Sequence, residues 1–315
     1  MILPASALAR GGAIAACALL SGCASRAVIV DATPLWPFYE LTMELPSTGT
    51  TTGYLSRPEG ATDRFVVIVQ EPLCTAADRI ANGRSIGTAG LLWSEFKSDA
   101  TFLQFTRPGV RAAAASHEKS ACRTRRRESP GQLWRRAVSE ATAAVRKNED
   151  LPSTPTVYVG ITDGALPAWG AAVSDANAGA LVLINATLSN ESEMLRLMQR
   201  LDARLRITII HVDQADRAPL ERALDLFATL QSKHQPASML LFEGVGNDFG
   251  LTTDESRCFE RAIEMLGEQV REPARPMTPN TPTVVDCKET AVENEREQTE
   301  DRPLKIERVE RQGSR

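Results

Sequence analysis

The sequence Tyr-Val-Gly-Ile-Thr-Asp-Gly at residues 158–164 decides the fold, because it joins a strand to a helix through a very short turn. Residues 156–159 are β-branched and aromatic, as expected of a buried strand, and a helical pattern follows the turn. Thr162 stands between Gly160 and Gly164 in a small–x–Thr–x–small arrangement. Glycine suits both flanking positions because a strained turn crowds its neighbours. The stretch predicts a sharp strand-to-helix turn centred on Thr162.

Strands and helices alternate on both sides of this turn. The predicted strands lie at residues 64–70, 101–105, 156–159, 180–184, 206–212 and 238–242, and the predicted helices at residues 87–97, 132–146, 166–176, 191–204, 219–233 and 255–269. This alternation predicts an α/β fold with a mainly parallel sheet and helices on both faces. Residues 38–45 and 51–56 flank a turn-forming Ser-Thr-Gly and predict an antiparallel hairpin that opens the sheet.

Four further segments, in chain order, extend the pattern into a resemblance to the α/β-hydrolase family. They are residues 65–73, 102–109, 209–219 and 240–249. The first resembles the strand and loop that contribute an oxyanion donor, and the second resembles the strand that ends in Asp-x-Pro-Gly. The third resembles the strand followed by His-Gly-x-x-Asp-x-x-x-Pro, and the fourth the last strand with its Gly-x-x-His-x-Phe loop. The resemblance spans residues 38–269 and implies that residues 158–164 form the nucleophile elbow.

The same resemblance assigns the three positions of a catalytic triad, and two of them are altered. Thr162 stands at the position of the nucleophilic serine, Asn247 at that of the general-base histidine and Asp216 at that of the acid. The additional methyl of threonine crowds the strained turn, and asparagine cannot accept the proton of a hydroxyl. An acid without its histidine has nothing to orient. The resemblance therefore implies a catalytically degenerate domain that is used for binding or assembly.

Histidine is scarce, with three in the whole chain, so a substitute base must be one of them. His211 lies inside a strand, where the family often carries a structural histidine, and His234 ends the helix before the last strand, on the far side of the sheet. His117 lies in the loop after the Pro-Gly turn and is the one plausible substitute. The alternative hypothesis is therefore a divergent, serine-hydrolase-like esterase that acts on envelope esters, lipids or peptides. In it, Thr162 is the nucleophile, His117 the base and Asp216 the assisting acid.

Composition limits the classes of function that remain. The 315 residues, with 43% hydrophobic and 24% charged side chains, are typical of a globular protein with a full core. A formal net charge of −4 argues against a general nucleic-acid binder. No pair of cysteines or histidines has the spacing of a zinc site, and no cofactor is expected.

The N-terminus carries a targeting segment. Residues 11–20 form a small, apolar run after Arg10, too short to span a bilayer. The run ends in Leu-Ser-Gly-Cys at residues 20–23, which resembles the bacterial lipoprotein box. That resemblance implies a signal peptide at residues 1–22, fatty acylation of Cys23 and anchoring at the periplasmic face of the outer membrane. A plain signal peptide with an accidental cysteine is the alternative.

The rest of the chain divides into three parts. Residues 23–37 are expected to be the lipidated cysteine and a tether, residues 38–270 the folded domain and residues 271–315 a disordered tail. The tail is predicted because prolines interrupt the sequence after residue 271 and charged residues of both signs dominate its end. A third hypothesis is a structural lipoprotein whose tail recruits another envelope component.

Four cysteines remain in the mature chain besides the lipidated one: Cys74, Cys122, Cys258 and Cys287. An even number in an oxidising compartment suggests two disulfides, with three possible connectivities. In the sheet of the α/β-hydrolase family, the strands that precede Cys74 and Cys122 adjoin each other. The resemblance therefore implies a bridge between these two across the rim of the site, and a second bridge from Cys258 to Cys287.

One strongly basic cluster follows the predicted strand at residues 101–105. It consists of Arg123, Arg125, Arg126 and Arg127. Its expected place near the mouth of the site suits a phosphate, an acidic glycan or an anionic lipid headgroup, whereas a solvated loop is the other interpretation. The expected partners are thus the membrane, through Cys23, and an anionic ligand or an envelope protein, with no nucleic acid.

Overall fold

A computed structural model shows how the chain folds. It describes residues 26–35, 38–58, 62, 64–70, 92–93, 97–105, 130–151, 153–212, 217–243, 264 and 282–286. The strands are β1 (Val28–Leu35), β2 (Phe38–Leu45), β3 (Gly49–Ser56), β4 (Arg64–Gln70), β5 (Ala100–Phe105), β6 (Thr156–Ile161), β7 (Ala178–Ile184), β8 (Arg206–Val212), β9 (Ala237–Glu243) and β10 (Thr283–Asp286). The helices are α1 (Pro130–Asn148), α2 (Ala165–Ala172), α3 (Glu191–Met198) and α4 (Arg217–Ser232).

All ten strands belong to one sheet, in the order β1-β2-β3-β5-β4-β6-β7-β8-β9-β10. The strands from β5 to β10 run parallel to one another, and β1, β2 and β3 pair in antiparallel fashion. The predicted mainly parallel sheet with an antiparallel opening hairpin is confirmed. We call the edge at which the parallel strands end the carboxyl edge, and the edge at which they begin the amino edge.

The core lies on both faces of the sheet. The four helices pack on one face, where Trp134 of α1 and Trp169 of α2 are buried in one cluster with Phe227 of α4. A second apolar cluster covers the other face, and Leu92, in a helical turn with Trp93, packs there. The central strands are buried on both faces, which explains why their sequences are continuous apolar runs rather than alternating ones.

The expected tether at residues 23–37 is wrong over most of its length. Val28–Leu35 forms β1, which pairs with β2 from Val28 opposite Glu44 to Leu35 opposite Phe38. The strand begins with three β-branched residues, but Asp31 and Pro34 interrupt its pattern in a way that is typical of loops. Both residues are tolerated here because β1 is an edge strand.

The expected disorder of residues 271–315 is wrong at one place. Thr283–Asp286 forms β10, which pairs in parallel with β9 at the far edge of the sheet. Three β-branched residues favour this strand, although four prolines precede it between residues 273 and 282. Apart from Pro282, the other tail residues lie outside the described ranges.

The cysteines all lie outside the described residues, so the pairings of Cys74 with Cys122 and of Cys258 with Cys287 stay predictions. Within the described ranges, no helix is both long enough and apolar enough to cross a bilayer.

Candidate functional site

The turn after β6 reverses the chain at the carboxyl edge of the sheet. Ile161 ends the strand in an extended conformation, with φ −108° and ψ 127°. Thr162 then has a φ of +50°, and Thr162–Gly164 forms a single 3₁₀ turn that leads directly into α2. A left-handed residue between strand and helix is how a nucleophile elbow reverses the chain. The predicted elbow is therefore present.

The two glycines of the elbow are required by close backbone contacts. A Cβ on Gly160 would lie 2.5 Å from the Cα of Ala165, in the first turn of α2. A Cβ on Gly164 would overlap the backbone carbonyl of Val69, at the end of β4. Neither obstacle can rotate away, because each is backbone. The small residues on both sides of Thr162 thus allow α2 to pack against the sheet immediately after the turn.

Thr162 has the left-handed backbone conformation of a nucleophile elbow, and its hydroxyl is bonded to the backbone. Its φ is unusual for a β-branched residue, and the side chain is half-buried. Its hydroxyl Oγ1 donates a hydrogen bond of 2.8 Å to the carbonyl of Ile161. Its own carbonyl accepts a hydrogen bond of 3.1 Å from the backbone N–H of Thr187. The hydroxyl proton is therefore directed at the backbone carbonyl of the preceding residue.

Asp163 follows Thr162 and is exposed to solvent. In a nucleophile elbow, the backbone N–H of this residue is one of the donors that stabilise a developing oxyanion. A carboxylate on the same residue opposes the build-up of negative charge beside it. Asp163 thus makes the turn less suited to acyl transfer than an uncharged residue would.

Asn185 is a residue of this edge that sequence reasoning missed. It follows β7 with a φ of +45°, a conformation that asparagine enters more readily than most residues. Its backbone N–H donates to the carbonyl of Ile210 at 2.9 Å, and its side-chain Oδ1 accepts from the N–H of Val212 at 2.9 Å. Asn185 therefore fastens the end of β7 to the end of β8. An asparagine directly after a strand is the signal that could have indicated it.

The two described histidines lie away from the elbow. His211 is a core residue of β8, 2% exposed, and β7 separates its strand from β6. His234 is exposed just after α4, at the amino edge, and has a φ of +55°. Both positions agree with the prediction that neither histidine serves Thr162.

The other predicted site residues lie outside the described ranges. They are Cys23, His117, Arg123, Arg125, Arg126, Arg127, Asp216 and Asn247. Their roles stay predictions from the sequence. Among the residues that the structure describes, no group of three or more histidine, cysteine, aspartate or glutamate side chains could hold a metal ion.

A polar network at the amino edge is the main buried electrostatic feature of the described structure. The guanidinium of Arg146 donates to the side chain of Thr156, to the carbonyl of Thr154 at 2.8 Å and to Oδ2 of Asp175 at 2.8 Å. The hydroxyl of Tyr158 donates to the same carboxylate oxygen at 2.9 Å. Burial, reinforced by Asp175, raises the pKa of Tyr158 above its usual range.

This network lines a cavity of about 540 Å³ between α1 and the turn that leads into β7. Arg146, Tyr158 and Asp175 are each satisfied by one another or by neighbouring backbone, so they hold the elements together. The cavity lies at the edge opposite the elbow. The network is therefore structural, and the candidate site is the carboxyl edge around Thr162.

Comparisons with known proteins agree with this geometry. No family model and no curated protein matches the sequence. Among solved structures, the esterase domain of a Rhodothermus marinus protein superposes with a TM-score of 0.50 at 12% identity, covering 75% of this chain and 98% of that one. A dienelactone hydrolase from Anabaena variabilis gives 0.52 at 16% identity, covering 74% and 98%. An acylaminoacyl peptidase from Pyrococcus horikoshii gives 0.50 at 12%, covering 77% and 42%.

These likenesses show that the chain has the fold of the α/β-hydrolase superfamily. The expected resemblance is confirmed at the level of the fold, with the elbow of residues 158–164 at the place the sequence predicts. At these low identities, the activities of the three enzymes remain properties of those proteins.

Proposed function

We propose that this protein is a lipoprotein of the bacterial cell envelope whose α/β-hydrolase domain binds a ligand or partner instead of hydrolysing one. Cys23 carries the fatty acids, and the protein lies on the periplasmic face of the outer membrane. The domain is then a pseudoenzyme, with Thr162, Asp216 and Asn247 at the former triad positions.

The orientation of the Thr162 hydroxyl is the observation that carries the proposal. The elbow keeps its strained backbone, yet the hydroxyl donates at 2.8 Å to the carbonyl of Ile161. An alcohol attacks an ester only when a base removes its proton, and the resemblance to the α/β-hydrolase family assigns the base position to Asn247, which cannot do so. The exposed Asp163 next to Thr162 further opposes an oxyanion. The turn thus has the shape of a nucleophile elbow. The direction of the Thr162 hydroxyl, the asparagine at the base position and the charge of Asp163 all disfavour acyl transfer.

The basic segment before α1 is the proposed contact for an anionic ligand. Residues 123–127 contain four arginines, and α1 begins a few residues later at Pro130. The basic character continues into the helix, where Arg136 is exposed and Arg135 pairs with Glu193 at 2.9 Å. Guanidinium groups suit phosphate and carboxylate because their donors are planar and paired.

Ester hydrolysis tests the loss of catalysis. The mature protein, assayed with 4-nitrophenyl acetate and butyrate, is expected to hydrolyse both at the rate of a Thr162→Ala variant. Thr187→Ala is the matched control, because Thr187 is an exposed threonine at the same edge. Hydrolysis that is lost in Thr162→Ala but kept in Thr187→Ala would contradict the proposal. It would favour the divergent acyl hydrolase with His117 as base.

Co-purification from solubilised envelopes tests the binding role. A variant with serine at the four arginines of residues 123–127 is expected to lose the anionic ligand or envelope protein that co-purifies with the wild type. The matched control replaces four tail arginines by serine: Arg302, Arg308, Arg311 and Arg315. If the tail variant loses the material instead, the tail is the recruiting segment. A deletion that tests the tail should begin at residue 288, because β10 ends at Asp286.

A further inference from the structure

The chain enters the sheet at the carboxyl edge, the same edge that carries the elbow. Gly53 of β3 lies opposite Phe105, the last residue of β5, so the chain before Gly53 extends past the carboxyl edge. Further along that edge, Thr50 pairs with Glu44 of β2, and Glu44 pairs with Val28. The first residue of β1 is therefore at the carboxyl edge. Five strand spacings, about 24 Å, separate β1 from β6 along it.

Little chain separates this entry point from the proposed anchor. Because β1 begins at Val28, only residues 24–27 stand between it and Cys23. Five fully extended residues span at most about 17 Å. The start of β1 therefore stays within that distance of an acylated Cys23.

The start of β1 also exposes an apolar pair. Val28 is 56% exposed and Val30 is 62% exposed. The register of β1 with β2 shifts between Ile29 and Asp31, so Val30 has no paired residue on β2. Ile29, between the two valines, packs against the core. An exposed apolar edge strand tends to pair with, or be covered by, another surface. Arg26, just before them, is exposed and suits an anionic lipid headgroup.

We propose that Val28 and Val30 lie in the interface of the bilayer that holds Cys23, so that the carboxyl edge with Thr162 opens towards that membrane. This rests on the proposed acylation of Cys23. It also narrows the class of ligand. A site that opens towards the bilayer, about 24 Å from the strand that lies in it, receives an amphiphile from that bilayer. The proposed contact at the arginines of residues 123–127 favours an anionic headgroup.

The other edge of the sheet offers an internal control. Val284 of β10 is 53% exposed, much like the two valines of β1. It lies nine strand spacings from β1, roughly 40 Å across the sheet. No anchor is proposed near it. If an exposed valine alone were enough to bind the bilayer, the amides around Val284 would also exchange more slowly on vesicles.

Hydrogen exchange of backbone amides measures the contact. The acylated full-length protein is reconstituted in vesicles of phosphatidylethanolamine and phosphatidylglycerol and compared with a soluble chain that begins at residue 24. Amides of residues 26–31 are expected to exchange about threefold or more slowly in the vesicles. Amides of residues 283–285 and of residues 232–235, at the amino edge, are expected to exchange equally in both.

Substitutions separate lipid contact from simple tethering. Val28→Asp combined with Val30→Asp is expected to abolish the slower exchange of residues 26–31 while the acylated protein stays on the vesicles. Val284→Asp, the matched control, is expected to leave it unchanged. Slow exchange that persists in the double variant would contradict the proposal.

Three further outcomes would overturn it, and they can be told apart. An intact mass without acyl groups on Cys23 would contradict both the proposed lipoprotein and the proposed bilayer contact. Normal acylation with equal exchange of residues 26–31 in vesicles and in solution would contradict the bilayer contact and leave the proposed lipoprotein intact. Slow exchange in native envelopes but not in pure lipid vesicles means that a protein, rather than the bilayer, covers β1.

Discussion

At the apex of the elbow, the backbone of Thr162 has a φ of +50°, a region that β-branched residues enter only under strain. Residues held in such conformations typically cost about 1–3 kcal/mol and cluster at functional sites. The surrounding glycines and the bond from Thr187 to the Thr162 carbonyl keep this conformation in place. The strain is present although the residue is a threonine rather than the serine of a serine hydrolase. The proposed binding role requires only that the shape of the turn be kept.

Gly164→Ala tests whether the elbow is held by backbone packing. A Cβ at this position overlaps the Val69 carbonyl, so the free energy of unfolding is expected to fall by about 2 kcal/mol or more. Urea denaturation followed by circular dichroism measures it. Gly179→Ala is the control, because the nearest atom to its added Cβ is 3.7 Å away and the change should stay within about 1 kcal/mol. Equal stability of the two variants would show that the close contact at Gly164 is not required.

The sequence predicts the glycines of the elbow but not the direction of the Thr162 hydroxyl. Small residues at a fixed spacing can be recognised in a sequence, because close backbone contacts at those positions leave no room for a side chain. The rotamer of Thr162 directs its hydroxyl at the carbonyl of the preceding residue, and the type of residue alone does not specify a rotamer. The role of Asn185 depends on backbone groups of β8, which lie far away along the chain and come within reach only once the strands are in register.

At the level of elements, the amino edge is fastened by the network that joins α1, β6 and the turn before β7. Arg146 and Asp175 are both largely buried and supply the charges, and Tyr158 shares the carboxylate. A largely buried ion pair is weak evidence for net stability, but removing one partner leaves the other uncompensated. The network therefore fixes how these elements are placed relative to one another.

Asp175→Ala is expected to lower the free energy of unfolding by about 2 kcal/mol, because the Arg146 charge then loses its carboxylate. Denaturation in urea gives the value. Asp202→Ala removes the carboxylate from the exposed pair with Arg204, where solvent screens the charges and the loss should be much smaller. Similar small losses in both variants would mean that the amino-edge network contributes little.

The predictability of each strand follows from where it lies in the sheet. Central strands such as β4 and β6 are buried on both faces, and continuous apolar sequence identifies them. The edge strands β1 and β10 carry exposed and loop-forming residues, so their sequences predict a tether and a tail. Pairing with β2 and β9 makes them strands, and that pairing is a tertiary effect.

On the scale of the whole molecule, the elbow and the entry of β1 share one edge, while the buried polar network occupies the other. The carboxyl edge is where open α/β sheets usually bind ligands. A lipid anchor at Cys23 would hold this functional edge close to a membrane, with the structural edge turned away. Fold, retained elbow and proposed anchor are therefore compatible with a membrane-facing binding domain.

Covalent labelling of Thr162 tests the central claim most directly. A fluorophosphonate reacts with an alcohol that a neighbouring base activates, and intact mass spectrometry detects the adduct. The purified mature protein is expected to remain unmodified under conditions that label a serine esterase to completion, because the Thr162 proton is directed at the Ile161 carbonyl. A stoichiometric adduct that maps to Thr162 and disappears in Thr162→Ala would contradict the account and identify an active hydrolase.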